Sequence, residues 1–364
     1  MISKIPFLNL ARFPEPVKED LRSKFDQILD KGIFSGSDEV LLLEKQLGEY
    51  LDSPHVVSCA NGTDALEMAL RALEIGIGDD VIVPAMSWVS TAEVVLLVGA
   101  KPIFIDTDDN GLLDLNLLDQ VVTSKTKAII PVHLYGKMVD METLMAWARK
   151  RNCKVIEDAA QAFGAFQNKI SAGMYGDMGC FSFYPSKNLG ALGEAGALVC
   201  KDKSIAEKLK MLRNHGQIQR DKHIIIGRNS RIDTLQAGFL NVLLPYFGAW
   251  QDRRKFIAQI YLDQLKALDW LKLPLGLESP SHNVHLFVIS TTFRDQLKQF
   301  LKENEIETAI HYPLPIPLMS PYKDPKEFPK SLKMSKEILS LPLNPWLSDE
   351  EVYRICDVLR RFKF

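Results

Sequence analysis

The residues best suited to chemistry in this chain lie in three short strings, each following a β-rich run. The first is Gly179-Cys180-Phe181-Ser182-Phe183-Tyr184-Pro185-Ser186-Lys187-Asn188-Leu189-Gly190. Most lysines are solvated surface residues. Lys187 instead follows a strand-like segment and a proline, inside a weakly charged stretch rich in Gly, Phe and Leu. A lysine stripped of water loses proton affinity, and a neutral amine is what attack on an aldehyde requires. Ser182 alternates with Phe181 and Phe183, so its hydroxyl leaves the apolar face and could donate to a phosphate.

The second string is Val155-Ile156-Glu157-Asp158-Ala159-Ala160-Gln161. Asp158 falls at the carboxyl end of a buried strand, where open α/β sheets place ligands. A carboxylate there could hold a protonated pyridine nitrogen and keep such a ring able to accept electrons. It could equally cap a following helix. Gln161, three residues on, could reach a ring substituent such as a phenolic oxygen. The third string, Ser58-Cys59-Ala60-Asn61-Gly62-Thr63-Asp64-Ala65-Leu66, reads as a strand, a glycine turn and an amphipathic helix. A helix N-terminus of this kind binds phosphate through its free N–H groups and its dipole. Gly62 would allow close backbone approach and Thr63 could add a hydroxyl. Plain capping by Asn61 or Thr63 explains the same residues. Asn61-Gly62-Thr63 also matches a glycosylation sequon, though no secretory signal accompanies it.

These strings need a scaffold that brings strand ends together. Short β-rich runs at His55–Ser58, Val81–Val83, Ile103–Ile105, Ala128–Val132, Val155–Glu157, Phe181–Phe183 and Ala197–Cys200 alternate with helical patterns. In Thr63–Leu73 the apolar residues Leu66, Ala69, Leu70 and Leu73 share one helical face, and Met141–Lys150 is a second such segment. This alternation predicts an α/β fold with a mostly parallel sheet flanked by helices. After about Leu235 a long helical stretch leads into a smaller mixed region, with a strand over Asn283–Ile289 and a helix over Arg294–Glu303. The Pro-rich segment Tyr312–Pro321 cannot be a continuous helix or a central strand. Ser348-Asp349-Glu350-Glu351 opens the last helix with a capping-box pattern. The predicted division is a large domain over 1–247 and a smaller C-terminal α/β domain over 248–364.

Composition excludes several functions. Lys and Arg total 44 against 46 Asp and Glu, a formal charge of −2, without the basic excess of a nucleic-acid surface. The five cysteines are scattered and form no C-x-x-C pair, so neither a disulfide framework nor a zinc site is expected. The opening Met1-Ile2-Ser3-Lys4-Ile5-Pro6 lacks the apolar run of a signal peptide, and the apolar stretches at Val89–Ala100 and Leu189–Cys200 are too short to span a bilayer. A cytoplasmic protein with no membrane or nucleic-acid partner is expected. There is no G-x-G-x-x-G, Walker or H-E-x-x-H motif, which disfavours a nicotinamide enzyme, an NTPase and a zinc protease.

Taken in order, SCANGTDAL, VIEDAAQAFGA, FSFYPSKNLGALGEAGALV and GRNSRIDTLQA resemble the DegT/StrS-like sugar aminotransferases, fold-type I enzymes that use pyridoxal 5'-phosphate (PLP). The resemblance runs from Pro6-Phe7-Leu8-Asn9-Leu10 to Ser340-Leu341-Pro342-Leu343. It implies that Lys187 is the Schiff-base lysine, that Asp158 pairs with the pyridine nitrogen, and that Gln161 lies near the phenolic oxygen. Gly62, Thr63 and Ser182 would grip the phosphate. Trp88, in Pro84-Ala85-Met86-Ser87-Trp88, takes the place of the family's ring-stacking aromatic, although a core tryptophan is the plain alternative. Asn229 matches an asparagine that reaches the phosphate of a neighbouring subunit, which implies a homodimer with shared active sites. Here it follows Arg228, where a neutral residue is expected.

The reaction implied is transfer of an amino group from glutamate to a nucleotide-linked (dTDP- or UDP-) keto sugar. Relatives with His at the lysine position dehydrate instead. Tyr184, Arg231, His311 and Tyr312 are the candidate sugar contacts. Asn229-Ser230-Arg231-Ile232-Asp233 and Arg213-Asn214-His215-Gly216 resemble the 3-keto branch more than the 4-keto branch. A PLP-holding regulatory protein without turnover is the rival from another class.

Overall fold

The computed structural model describes residues 4–364, so the first three residues of the opening string lie outside it. At its centre is a sheet of seven strands: β1 (His55–Cys59), β2 (Asp80–Pro84), β3 (Lys101–Ile105), β4 (Thr126–Ile129), β5 (Lys154–Asp158), β6 (Met178–Ser182) and β7 (Gly196–Cys200). Their spatial order is β1-β7-β6-β5-β4-β2-β3. The pairs β2·β3, β2·β4, β4·β5 and β5·β6 are parallel, and β7 runs antiparallel to both β1 and β6. The expected α/β arrangement with a mostly parallel sheet is therefore present.

Neighbouring strand residues fall into different apolar clusters. Val56, Ile82, Ile103, Val155 and Val199 join one, and Val57, Val83, Phe104, Ile156 and Leu198 join the other. That alternation gives the sheet two buried faces, each covered by helices. On one face lie α1 (Glu15–Lys31) and α2 (Asp38–Leu51) together with Thr234–Leu243. On the other lie α3 (Gly62–Ala72), α4 (Ser90–Leu97) and Lys203–Leu212. A third apolar cluster gathers side chains from residues 257–362 together with Ile5. It encloses an antiparallel pair, Phe287–Ser290 with Ile338–Leu341. Among the described residues no helix is long and apolar enough to cross a membrane.

Several expected bounds shift for local reasons. Helix α3 begins one residue earlier than predicted, at Gly62, because the Asn61 side chain accepts the Asp64 N–H and caps it. Strand β6 ends at Ser182 rather than Phe183. The predicted strand over Asn283–Ile289 is paired only from Phe287. Its first residues instead bond the loop after β4, with Asn283 N donating to Gly136 O and His285 N to Tyr135 O. Gly136 is obligatory at this crossing: its φ is +94°, and a Cβ would stand 1.7 Å from Asn283 Oδ1. The capping box at Ser348 and Glu351 is formed as predicted.

One buried cluster fixes how β5 presents Asp158. Its neighbour Glu157 is fully buried and accepts from His133 Nε2 (2.9 Å) and from the N–H groups of Gly173, Tyr175 and Gly176 (2.7–2.9 Å). Val139 N donates to His133 Nδ1, so the imidazole proton sits on Nε2 and points at the carboxylate. With Glu157 tied to one side of the strand, Asp158 emerges on the other. Glu157→Gln would turn an acceptor into a donor facing N–H groups. It is expected to lower stability by ~2–4 kcal/mol, read as a reduced urea midpoint; an unchanged midpoint would contradict this anchoring role.

Candidate active site

The carboxyl ends of β5 and β6 and the N-terminus of α3 meet at one end of the sheet's strands. Asp158 is in register with Cys180, Ser182 with Gly196, and Gly196 with Cys59, so the loop after β1 sits beside Ser182. Contact there is close: a Cβ on Gly62 would lie 2.8 Å from Ser182 Cβ. The glycine thus lets the helix end and the serine hydroxyl converge.

That corner is rich in uncommitted donors. Asp64 N is capped by Asn61 Oδ1 (2.8 Å) and Ala65 N bonds Asn61 O, whereas among the described residues Gly62 N and Thr63 N have no partner. The Ser182 hydroxyl accepts from Tyr184 N at 3.3 Å and keeps its own proton free. Thr63 Oγ1 is 2.8 Å from Ser90 Oγ. Two backbone N–H groups, a serine hydroxyl and a helix dipole form a cradle suited to a phosphate.

Beside the cradle stands Asp158, 5% exposed. Its Oδ2 accepts from the Thr91 hydroxyl (2.9 Å) and its Oδ1 from Ala160 N (3.2 Å). Burial raises its pKa, opposed by the Thr91 and Ala160 donors and by the charges of Lys187 and His133. The Lys187 side-chain amine makes no hydrogen bond or ion pair among the described residues; its backbone N–H donates to Tyr184 O. Desolvation pushes its pKa down to about 8, and the charge of Asp158 acts in the opposite sense.

Gln161 is held by its neighbours. Its Oε1 accepts from Tyr135 N at 2.6 Å and its Nε2 donates to Tyr312 Oη at 3.1 Å, which orients the amide. Trp88 is 59% exposed and so is not a core tryptophan; its ring lies 5.7 Å from that of Tyr312. His311 Nδ1 is 2.8 Å from Ser340 Oγ, and its carbonyl accepts from the Tyr135 hydroxyl. Burial, then the Lys187 charge, push the His311 pKa down to about 4. Lys187, Asp158, Gln161, Trp88, His311 and Tyr312 thus gather near one another: Gln161 and Trp88 meet Tyr312, and the Lys187 charge reaches both Asp158 and His311.

Three candidates are placed differently. Tyr184 is exposed at the rim, while Asn229 and Arg231 are exposed and bond each other, Arg231 Nε to Asn229 Oδ1 at 3.1 Å. The residues flanking Asn229 are clamped onto α3: Ser230 Oγ donates to Asp64 Oδ2 at 2.6 Å, and Arg228 pairs with Asp64 (2.9 Å) and Glu67. The basic residue at 228 thus has its reason in two carboxylates of that helix. Sequence reasoning missed Thr91, Ser87, Tyr135 and His285. His285 Nδ1 lies 2.8 Å from Asn188 Oδ1, next to the lysine. Of these, only Ser87 and Thr91 carried a signal, being one residue before and three after Trp88.

The family profile described as the DegT/DnrJ/EryC1/StrS aminotransferase family matches residues 16–360. A UDP-N-acetyl-3-dehydro-alpha-D-glucosamine 3-aminotransferase of Acidithiobacillus ferrooxidans is 42% identical over 98% of this chain and 97% of that protein. A "pleiotropic regulatory protein" of Geobacillus stearothermophilus is 37% identical, with 98% of each chain covered. The crystal structure of ntdA from Bacillus subtilis with bound cofactor PMP superposes with a TM-score of 0.94 at 32% identity, covering 99% of this chain and 85% of that one.

The depressed pKa of Lys187 sets a pH profile. In cofactor-free protein an amine-selective acylating reagent should modify Lys187 with a half-maximal rate near pH 8, by peptide mass mapping. Exposed lysines should show midpoints of ~10.4. A Lys187 midpoint alongside theirs would contradict the desolvated site.

Proposed function

Because the chain belongs to the DegT/DnrJ/EryC1/StrS aminotransferase family, we propose that it transfers an amino group from glutamate to a nucleotide-linked (dTDP- or UDP-) 3-keto sugar with PLP as cofactor. The observation that carries this reading is the unpartnered Lys187 amine, its pKa about 8, beside the buried Asp158 and the donor-rich cradle of α3. The cradle that a Cβ at residue 62 would fill, and the two free N–H groups above it, fit the phosphate of such a cofactor.

Bound PLP supplies an electron sink for negative charge developing at a substrate carbon. The chain's own residues do the rest. Gly62 N, Thr63 N and the Ser182 hydroxyl hold the phosphate. Asp158 would accept a hydrogen bond from a protonated pyridine nitrogen, which keeps its proton and leaves the ring cationic. Gln161 Nε2 has a second proton to give the phenolic oxygen, and Trp88 covers one ring face. Lys187 is the covalent anchor. As a free amine it would take the proton from Cα of glutamate and, in the second half-reaction, return a proton at the sugar carbon. A pKa about 8 suits an amine that must both accept and release that proton near neutral pH.

Homodimerisation belongs to the same proposal. Asn229 is exposed and makes no bond to its own cradle, while Arg228 and Ser230 hold it outward, a posture that supports donation to a partner subunit's phosphate. Tyr184, Arg231, His311 and Tyr312 are assigned to the sugar nucleotide. Amination at C3 is supported by the name of the 42%-identical relative. The division into residues 1–247 and 248–364 is supported by the separate apolar cluster over residues 257–362. The action is placed in the cytoplasm. A regulatory reading draws on the 37%-identical relative, but a pure sensor has no use for the lysine, carboxylate and glutamine set together.

Adding glutamate to PLP-loaded protein should convert the cofactor absorbance to its amine form, and a panel of UDP- and dTDP-3-keto and 4-keto sugars should then restore it. The 3-keto sugars are expected to turn over, with C3 amines seen by NMR. Lys187→Ala should lose at least ~10³-fold in turnover. No conversion with glutamate would favour the sensor, and products only from 4-keto sugars would move the amination site.

A further inference from the structure

We propose that Thr91 is a positioning residue which, with Ser87 behind it, keeps Asp158 ionised and aimed at the ring nitrogen of the cofactor. The inference rests on the PLP reading given above.

Ser87, Thr91 and Asp158 are 2%, 0% and 5% exposed, so water does not satisfy them. The Thr91 hydroxyl lies 2.9 Å from Asp158 Oδ2, and the Ser87 hydroxyl lies 2.9 Å from Thr91 Oγ1. An ionised carboxylate only accepts, so the single Thr91 proton is committed to Asp158. The Ser87–Thr91 bond must then be donated by Ser87. The chain has one direction, Ser87 to Thr91 to Asp158, and each member polarises the next toward negative charge on the carboxylate.

A threonine in a helix ordinarily returns its hydroxyl to the carbonyl three or four residues back. Thr91 sends it to a strand end 67 residues away in sequence. A valine would fill the same buried space without a donor, so packing alone does not call for threonine. The donor matters because burial alone favours the neutral acid. Two donors, the Thr91 hydroxyl on Oδ2 and Ala160 N on Oδ1, oppose it and hold the carboxylate from both oxygens. Each oxygen keeps a lone pair for a third partner.

The relay also registers that partner. Ser87, Trp88 and Thr91 belong to one turn leading from β2 into α4, closed by Thr91 N donating to Trp88 O. Trp88 is 59% exposed with its ring 5.7 Å from that of Tyr312, while Thr91 bonds Asp158. One short segment thus sets both the surface that covers the cofactor ring and the group that orients the carboxylate at its edge.

The test compares Thr91→Val, Thr91→Ser and Ser87→Ala. Each is prepared free of cofactor and titrated with PLP, and the pH midpoint of the bound cofactor's absorbance is measured. Losing the donor draws the ring proton toward Asp158, and the nitrogen joining Lys187 to the cofactor becomes more basic. Thr91→Val should bind PLP ~10-fold or more weakly, shift the midpoint up by ~1 unit and lower kcat more than it changes KM. Thr91→Ser should stay near wild type, and Ser87→Ala should shift the same way by less. If Thr91→Val does not fold, Ser87→Ala carries the test, and an unmoved midpoint there overturns the relay. Thr91→Val and Thr91→Ser that coincide overturn it as well. Wild-type protein that develops no cofactor absorbance, or the same absorbance with Lys187→Ala, overturns the PLP reading and the relay with it.

Discussion

Burying a carboxylate and an ammonium near each other costs both their hydration, and the attraction between them returns only part of it. At the end of β5 that cost is visible on both partners: burial raises the Asp158 pKa and lowers that of Lys187 to about 8, while each group's charge pulls the other back. The two make no direct ion pair, which leaves Lys187 without a permanent partner. An amine whose pKa is lowered to about 8, facing a buried carboxylate that accepts from two donors, is suited to covalent attachment to an aldehyde and to proton transfer afterwards.

Much of the surrounding fold serves to hold that arrangement. Glu157 is fixed by a histidine and three backbone N–H groups, so the next residue of β5 turns to the other side, toward Thr91. Gly62 lets the N-terminus of α3 come against Ser182, and Gly136 lets the chain near Asn283 cross behind Gln161. Asn283 Nδ2 in turn donates to Gln161 O at 2.9 Å, tying the C-terminal segment to the loop after β5. The site therefore draws residues from both the central sheet and the later part of the chain.

Much of this was legible in the sequence because its signals are local. A strand end, a glycine and a capped helix lie within Ser58–Leu66, and the desolvation of Lys187 is foreshadowed by the apolar string around it. The seven strands were found from short β-rich runs, with errors of a few residues at their ends. What escaped depends on contacts between distant segments. Thr91 finds Asp158 only once folding brings the start of α4 to the end of β5, and Tyr135 orients Gln161 through a backbone N–H that carries no sequence mark. Arg228 looked out of place until α3 brought Asp64 and Glu67 beneath it. The first residues of Asn283–Ile289 read as strand because their side chains suit one, yet their backbone bonds go to a loop instead.

The most direct test of the account is borohydride reduction of the PLP-loaded protein followed by peptide mass analysis. The account predicts a reduced pyridoxyl adduct on the peptide carrying Lys187 and on no other lysine. An adduct absent from that peptide, or scattered among surface lysines, would contradict it.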